Sequence, residues 1–414
     1  MKSFASKRNT QGTAACAGAA APISPAAATS TPSRILDVDA LRGFALLGIL
    51  VVNIAFFASG YPIHGALDPA YTSGEDKAVR WLITFVFEMK FYLIFSFLFG
   101  YSFTLQMDSA ARQGAVFTPR ILRRLAGLLT LGLLHAVLLF YGDILSCYAV
   151  LGLVLFALRG IKPRTALIVA GAIVGTLVVT LLLADGATAS DPVTALAEGH
   201  RTTAAMRNSP ASFITSNIHI LPLMAATLAV QGLSSFAAFL VGFAAGKRQV
   251  LARVKEHDRS LRRIQWVGFP VGLAGAFYLA NAGSVVSDLT PVAVTMLTGS
   301  FLAAAYMATA LRFFQTEPGS RVMAALAPAG RMALTNYLSQ SLICAVLFTA
   351  YGFRLAGHVS PLGALLLAAA IFAAQLWLSR KWLTGHIYGP VEWLLRAVTL
   401  ARRPAMRADS KPGN

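Results

Sequence analysis

Residues 165–184 read TALIVAGAIVGTLVVTLLLA, a stretch of twenty residues without one charged side chain. An α-helix of that length extends about 30 Å, which matches the hydrocarbon core of a bilayer. The whole chain has a similar character, since it is 56% hydrophobic and 13% charged, with a mean hydropathy of +0.64. A soluble domain has about 25% charged residues. The sequence therefore excludes a water-soluble globule and predicts an all-α, polytopic membrane protein.

Apolar runs of comparable length recur along the chain, and we predict about ten transmembrane helices. Their expected bounds are 38–58, 80–105, 121–141, 144–158, 165–184, 221–245, 264–281, 291–311, 332–351 and 361–379. This pattern divides the chain into five parts. They are a disordered extension (1–33), an N-terminal five-helix half (34–184), an extracytoplasmic connection (185–220), a C-terminal five-helix half (221–400) and a basic tail (401–414).

The positive charges are distributed unevenly between the two sides of these spans. Of the 35 Lys and Arg residues, 29 fall in the ends and connections of one side, five fall on the other side, and Lys90 alone lies inside a span. Cytoplasmic connections of membrane proteins carry such an excess. We therefore expect a multi-pass protein of the bacterial inner (plasma) membrane with both termini cytoplasmic. The net charge of +18 then faces anionic lipid headgroups, so membrane lipids are expected partners and nucleic acid is not.

Cysteine and histidine give no pattern of metal ligands. The three cysteines, Cys16, Cys147 and Cys344, form no CxxC pair, and the seven histidines form no HxxxH pair. We predict no metal and no resident cofactor.

Ionisable side chains at membrane depth are costly, so each is a candidate for a functional role. Lys90 lies about ten residues inside the second predicted span, which is about 15 Å of helix. Its ammonium group could snorkel to the surface. We favour an interior position, in which Lys90 is paired or lines a cavity.

His135 lies near the outer end of the third predicted span, and Asp143 lies in the tight outer turn between the third and fourth. A histidine at the mouth of a helical bundle can act as a general base, and a nearby carboxylate could orient it. A helix-capping aspartate and a buried, hydrogen-bonded histidine would explain the same residues. His64, in the first outer loop near Asp68, is more typical of a solvated loop histidine.

Several polar residues lie at or near the cytoplasmic ends of the spans. Arg42, Arg124 and Arg331, with Arg123, could meet at one mouth, where guanidinium groups are suited to phosphate. Asn53, Asn336 and Gln340 lie within spans, and such amides serve either as contacts between helices or as the lining of a polar cavity.

Five segments resemble the YeiB family of bacterial polytopic membrane proteins. They are RILDVDALRGFALLGILVVNI (34–54), KFYLIFSFLFG (90–100), GLLH with GDIL (132–135 and 142–145), GRMALTNYLSQS (330–341) and GPVEWLLR (389–396). The resemblance covers about residues 34–400 and implies the polytopic helical fold.

The opening helix also resembles that of transmembrane acyltransferases, which include the enzyme that acetylates heparan glucosamine and the acyltransferase-3 proteins. Acyltransferase-3 proteins have their catalytic histidine where this chain has Asn53. The heparan-type enzyme has asparagine there and uses a histidine in the following loop, at a place comparable to that of His64.

The resemblance implies an enzyme that moves an acyl group from a cytoplasmic donor, such as acyl-CoA as co-substrate, to an acceptor in the envelope. In this hypothesis Arg42, Arg124 and Arg331 bind the donor phosphates, and Asn53, Asn336 and Gln340 complete the substrate cavity. In the same hypothesis His135, oriented by Asp143, removes the acceptor proton, and Lys90 stabilises the oxyanion. Two alternatives stay open, a transporter of a small anionic or amphipathic solute and a scaffold or lipid-binding subunit without chemistry.

Overall fold

The computed structural model describes residues 36–114, 116–184, 191–282 and 289–407. The helices are α1 (Leu36–Ala58), α2 (Gly74–Val86), α3 (Phe91–Arg112), α4 (Phe117–Leu138), α5 (Leu145–Ala157), α6 (Pro163–Leu183), α7 (Pro192–Asn208), α8 (Pro210–Lys247), α9 (Asp258–Asn281), α10 (Thr290–Phe314), α11 (Glu317–Arg331), α12 (Ala333–Phe348), α13 (Pro361–Gly385) and α14 (Pro390–Leu400). Within these ranges the only β-type pairing is an isolated bridge between His386 and Arg407. The predicted extension 1–33 and the end of the tail, 408–414, lie outside the described residues.

Seven segments of the described chain are long and apolar enough to cross a membrane. They are α1, α2 with α3, α4, α6, the part Ala229–Lys247 of α8, α10 and α13. Two shorter apolar helices, α5 and α12, and the long α9, whose first turns carry charged residues, coincide with the other three predicted spans. The structure thus confirms a polytopic α-helical membrane protein, and by length and composition seven of the ten predicted spans qualify on their own.

The predicted span 80–105 is not one helix. It is interrupted between α2 and α3, where Met89 has a φ of 61°. Lys90 precedes α3, and its buried ammonium group donates to the carbonyls of Thr84 (2.7 Å) and Phe85 (3.0 Å). These carbonyls belong to the last turn of α2, where carbonyl groups have no hydrogen-bond donors within the helix. The lysine therefore stabilises the break by donating hydrogen bonds to two carbonyls of the last turn of α2.

The predicted connection 185–220 contains regular structure. Asp191 caps α7 by accepting from the backbone of Val193 and Thr194, and Ser209 caps α8 in the same way. As a result α8 begins at Pro210, well before the predicted start at 221, and continues through Pro222.

Close helix crossings join the two predicted five-helix halves. A β-carbon on Gly330 of α11 would overlap the backbone of Asp39 in α1, and one on Gly43 would overlap the backbone of Leu326. Small residues allow such approach between membrane helices. This crossing brings Arg331, at the end of α11, next to Arg42 of α1.

Candidate functional site

A chain of hydrogen bonds connects a carboxylate, an imidazole and a hydroxyl inside the bundle. His135 Nδ1 lies 2.9 Å from Asp143 Oδ1, and His135 Nε2 lies 2.8 Å from Ser341 Oγ. The three residues are only 2%, 1% and 3% exposed, respectively. We call Asp143, His135 and Ser341 the relay. Asp143 lies in the α4–α5 turn, His135 near the end of α4 and Ser341 in the middle of α12.

The second carboxylate oxygen of Asp143 is held by the start of α5. It accepts from the backbone N–H of Ser146 (2.7 Å) and from its hydroxyl (2.6 Å). Gly132, one turn before His135, makes room for this arrangement, because a β-carbon there would lie 2.7 Å from Asp143 Oδ2. The predicted capping role and the predicted orienting role of Asp143 are therefore combined in one side chain.

These contacts assign the imidazole protons. Carboxylate oxygens only accept hydrogen bonds, so Nδ1 of a neutral His135 carries the hydrogen that Asp143 accepts. Nε2 then has a free lone pair and accepts the hydroxyl hydrogen of Ser341. In this tautomer His135 can take the proton of Ser341, and Asp143 stabilises the imidazolium that forms.

A cavity of about 190 Å³ lies beside the relay. One end of the cavity carries Arg42, Arg124 and Arg331, together with Glu392. The structure therefore brings together three of the four arginines that were predicted to meet at one mouth. Arg123 is exposed and is not part of the lining.

Two of the three arginines, Arg42 and Arg331, are held by neighbouring groups. Arg42 donates to Asp39 Oδ1 (2.8 Å) and to the hydroxyl of Ser102. Arg331 donates to the carbonyl of Ile387 (2.5 Å). Such fixed positions reduce the entropy that a ligand would otherwise have to remove on binding.

Glu392 has a structural partner at the same end of the cavity. Its carboxylate accepts from the backbone N–H groups of Leu334 (2.7 Å) and Thr335 (3.0 Å) at the start of α12. An anion at a helix N-terminus interacts favourably with the free N–H groups and the helix dipole. Glu392 thus connects α14 to the helix that carries Ser341.

The other end of the cavity reaches the layer of the relay. Ile144, which follows Asp143, and Tyr337, one turn before Ser341, both line it. The ring centroid of Tyr337 lies 5.1 Å from that of His135. The buried Tyr337 hydroxyl is close to the backbone of Ile144 but makes no hydrogen bond of ordinary geometry within the described chain. His135 and Ser341 do not line the cavity, whereas Tyr337 both lines it and packs against the His135 ring.

The remaining predicted site residues have other surroundings. Asn336 donates to the carbonyl of Ala329 and to Ser379 (both 2.9 Å), and Gln340 donates to Gln375 (2.8 Å). These buried amides connect α12 to α11 and α13 and line neither of the two cavities described here. Asn53 is half-buried in α1 and likewise lines neither, and Lys90 is at the α2–α3 break.

A second, open cavity of about 580 Å³ lies beyond the opposite end of α1 from Arg42. Its lining includes His64, Glu198, Arg201 and His219. His64 Nε2 lies 2.9 Å from the hydroxyl of Thr202. Burial lowers the pKa of His64, because the imidazolium form loses hydration, while Glu198 opposes this effect.

Three residues at the site, Ser341, Tyr337 and Glu392, are not among those predicted from the sequence. Their signal was present, since all three occur within the segments 330–341 and 389–396 that carry the family resemblance. In the described chain no three His, Cys, Asp or Glu side chains come together as a metal site.

Comparison with known proteins gives the same family over most of the chain. Residues 245–402 match the model "Protein of unknown function (DUF418)". The chain is 31% identical to the uncharacterized protein YxaH of Bacillus subtilis over 391 residues, which is 90% of this chain and 95% of YxaH. It is 28% identical to the uncharacterized protein YeiB of Escherichia coli over 405 residues, which is 91% of this chain and 100% of YeiB. These similarities extend well beyond the residues of the family model, and the chain belongs to the DUF418 family, that of YeiB and YxaH.

Proposed function

We propose that this protein is a membrane acyltransferase that moves an acyl group from a cytoplasmic thioester donor to a hydroxyl or amine acceptor in the cell envelope. One observation carries the proposal. A buried histidine, with a carboxylate on one nitrogen and a hydroxyl on the other, lies next to a cavity that has three arginines at its far end. The first feature is suited to proton transfer during acyl transfer, and the second to a phosphate-bearing donor.

The direction of the cavity fits this reaction. In the plasma membrane, with both termini in the cytoplasm, the start of α1 and the arginine end of the cavity face the cytoplasm, where acyl-CoA is present. Arg42, Arg124 and Arg331 then bind donor phosphates. Phe95, Phe99 and Tyr148 provide an apolar wall for the thioester arm as it extends towards Tyr337. The donor must displace the Tyr337 ring to bring its carbonyl carbon to the relay.

The role of Lys90 changes in this proposal. Its ammonium group is already bound to two carbonyls at the α2–α3 break, and it does not line the cavity. The proposal therefore assigns Lys90 to the structure of the break and leaves the proton chemistry to His135 and Asp143.

The test uses purified protein reconstituted in vesicles, with labelled acetyl-CoA and palmitoyl-CoA as donors and glucosamine and phosphatidylethanolamine as acceptors. Wild-type protein should release free thiol and transfer label. His135→Ala and the more conservative His135→Gln should reduce this about 10²–10⁴-fold, while His257→Ala, in the α8–α9 connection and outside the cavity lining, should not. Undiminished turnover by the folded His135 variants, or no cleavage of either donor by wild type, would contradict the proposal.

The arginine cavity permits a sharper test of donor binding. Arg124→Gln should raise KM for acyl-CoA, because a phosphate contact is lost. It should leave KM unchanged for acyl-N-acetylcysteamine, a thioester without phosphates. Arg123→Gln is a matched control, since Arg123 is the adjacent residue and is exposed outside the lining. Equal effects of the two substitutions would contradict a phosphate site at this position.

Transport of a small anionic or amphipathic solute is the second candidate. It is favoured by the presence of two cavities along the bundle, one beside α1 with Arg42 and one beyond the other end of α1 with Arg201 and His64. The same vesicles distinguish the two functions. A transporter would move labelled acetate or phosphate across the membrane without consuming any thioester, whereas the enzyme would consume it.

A further inference from the structure

We propose that Ser341 is the nucleophile of the transfer and carries the acyl group as an ester between two half-reactions. This inference rests on the proposed function and deepens it, because it assigns a covalent intermediate and a catalytic residue. His135 then acts first on Ser341 and only afterwards on the acceptor.

The direction of the Ser341 hydroxyl is the first observation. Hydroxyl side chains inside membrane helices commonly donate to the carbonyl three or four residues earlier, as Thr104, Thr298 and Thr349 do here at 2.8–2.9 Å. Ser341 Oγ is 3.5 Å from the corresponding carbonyl of Tyr337 but only 2.8 Å from His135 Nε2. Its hydrogen is therefore directed at the base.

Occupancy of the imidazole is the second observation. Asp143 occupies Nδ1 and Ser341 occupies Nε2, so in this state the imidazole offers no free nitrogen to an external acceptor. The proton that His135 is placed to remove is that of Ser341. A serine, a base and an orienting carboxylate within hydrogen-bond reach are the arrangement that activates a hydroxyl nucleophile.

The position of Ser341 along α12 is the third observation. It lies one helical turn beyond Tyr337 and thus on the same face of the helix as a residue that lines the cavity. When a donor displaces the Tyr337 ring, Ser341 is the next hydroxyl on that face. The Tyr337 hydroxyl, which has no protein hydrogen bond of ordinary geometry in the described chain, could then donate to the developing oxyanion.

The two half-reactions balance. In the first, the Ser341 proton moves to His135 Nε2, Oγ attacks the thioester carbonyl carbon, the C–S bond breaks, and the thiolate leaves with the proton from His135. In the second, the acceptor hydroxyl or amine gives its proton to Nε2 and attacks the ester carbonyl carbon. The C–O bond to Ser341 breaks, and Oγ regains the proton.

The experiment traps the intermediate in full-length purified protein. Labelled acetyl-CoA is added without an acceptor, the reaction is stopped with acid, and peptides are mapped by mass spectrometry. Wild type should carry acetyl on the peptide that contains Ser341, and hydroxylamine should remove it. Ser341→Ala should carry no label and lose transfer about 10³-fold or more. Ser341→Cys should carry the acetyl group as a thioester. Ser300→Ala is the matched control, because in the described chain that hydroxyl donates to the Met296 carbonyl of its own helix, α10.

The outcomes separate this inference from the proposed function. If Ser341→Ala transfers acetyl at the wild-type rate while His135→Ala does not, the nucleophile is wrong and direct transfer holds. If wild type cleaves no thioester, both proposals fail. If Ser341→Ala does not fold, label on Ser341 in wild type and on the cysteine of Ser341→Cys supports the inference, and label on neither overturns it.

Discussion

Asp143→Asn tests which tautomer of His135 the relay requires, because it replaces one carboxylate oxygen with an NH₂ group and leaves the size of the side chain almost unchanged. Both hydrogen bonds at Asp143 Oδ2 come from Ser146, as an N–H at 2.7 Å and a hydroxyl at 2.6 Å. The amide oxygen of asparagine should therefore stay on that side. Its NH₂ group then faces His135 Nδ1, where Asp143 Oδ1 now accepts at 2.9 Å. An NH₂ group can only donate, so Nδ1 must become the acceptor and Nε2 must carry the hydrogen.

The expected effects on stability and on activity differ greatly in size. No partner is left without a hydrogen bond, so the loss is the difference between a charge-assisted bond of about 1.5–3 kcal/mol and a neutral bond of about 0.5–1.5 kcal/mol. We therefore expect the free energy of unfolding to fall by about 1–2 kcal/mol. Activity should fall about 10⁴-fold, the size of effect that the wrong histidine tautomer has in Ser-His-Asp enzymes, because Nε2 can no longer take the Ser341 proton.

Two measurements on the same preparation check this prediction: thermal unfolding in detergent and thiol release from acyl-CoA. Asp258→Asn is the control, since it weakens ion pairs with Arg262 (2.9 Å) and Arg312 (2.8 Å) outside the cavity and should leave turnover unchanged. If Asp143→Asn is folded and keeps turnover within about tenfold of wild type, which is only about 1.4 kcal/mol of barrier, the tautomer argument is refuted.

Three further changes have defined outcomes. Gly132→Ala should reduce turnover and lower the free energy of unfolding by about 1–3 kcal/mol through overpacking, because the added β-carbon would lie 2.7 Å from a carboxylate oxygen of the relay. Gly171→Ala, which adds its β-carbon to open space, should reduce neither turnover nor stability. Lys90→Met should lower the melting temperature far more than the exposed Lys77→Met, since two carbonyls at the end of α2 lose their buried donor and each unsatisfied carbonyl costs up to about 1–3 kcal/mol; equal melting temperatures would exclude a capping role. Burial lowers the pKa of His64, so the unfolded chain binds a proton first as the pH falls below about 6.5, and stability is lost there. The melting temperature of wild type should therefore drop more between about pH 7.5 and pH 5.5 than that of His64→Gln, and parallel curves would contradict this.

The sequence predicted the features that depend on composition along one helix. Long apolar runs made the fold class clear, and arginines at helix ends of the same side indicated a common mouth, which Arg42, Arg124 and Arg331 form. The break before Lys90 was not predicted, because the charged residues Glu88 and Lys90 lie between two apolar runs without a proline or glycine to indicate a change of backbone direction. An internal lysine was noticed, but two carbonyls rather than an anion proved to be its partners.

Side-chain pairing across the bundle was harder to predict, and the relay shows why. His135 and Ser341 are 206 residues apart, and nothing in the local pattern around Ser341 distinguishes it from Ser339, which donates within its own helix. Their contact depends on how α12 sits against α4, and Glu392 contributes by fixing the start of α12. The relay and the arginine cavity thus share α12 as their common element. A change at Glu392 should therefore alter both donor binding in the cavity and proton transfer in the relay. If the cavity and the relay were structurally unrelated, such a change would alter only one of the two.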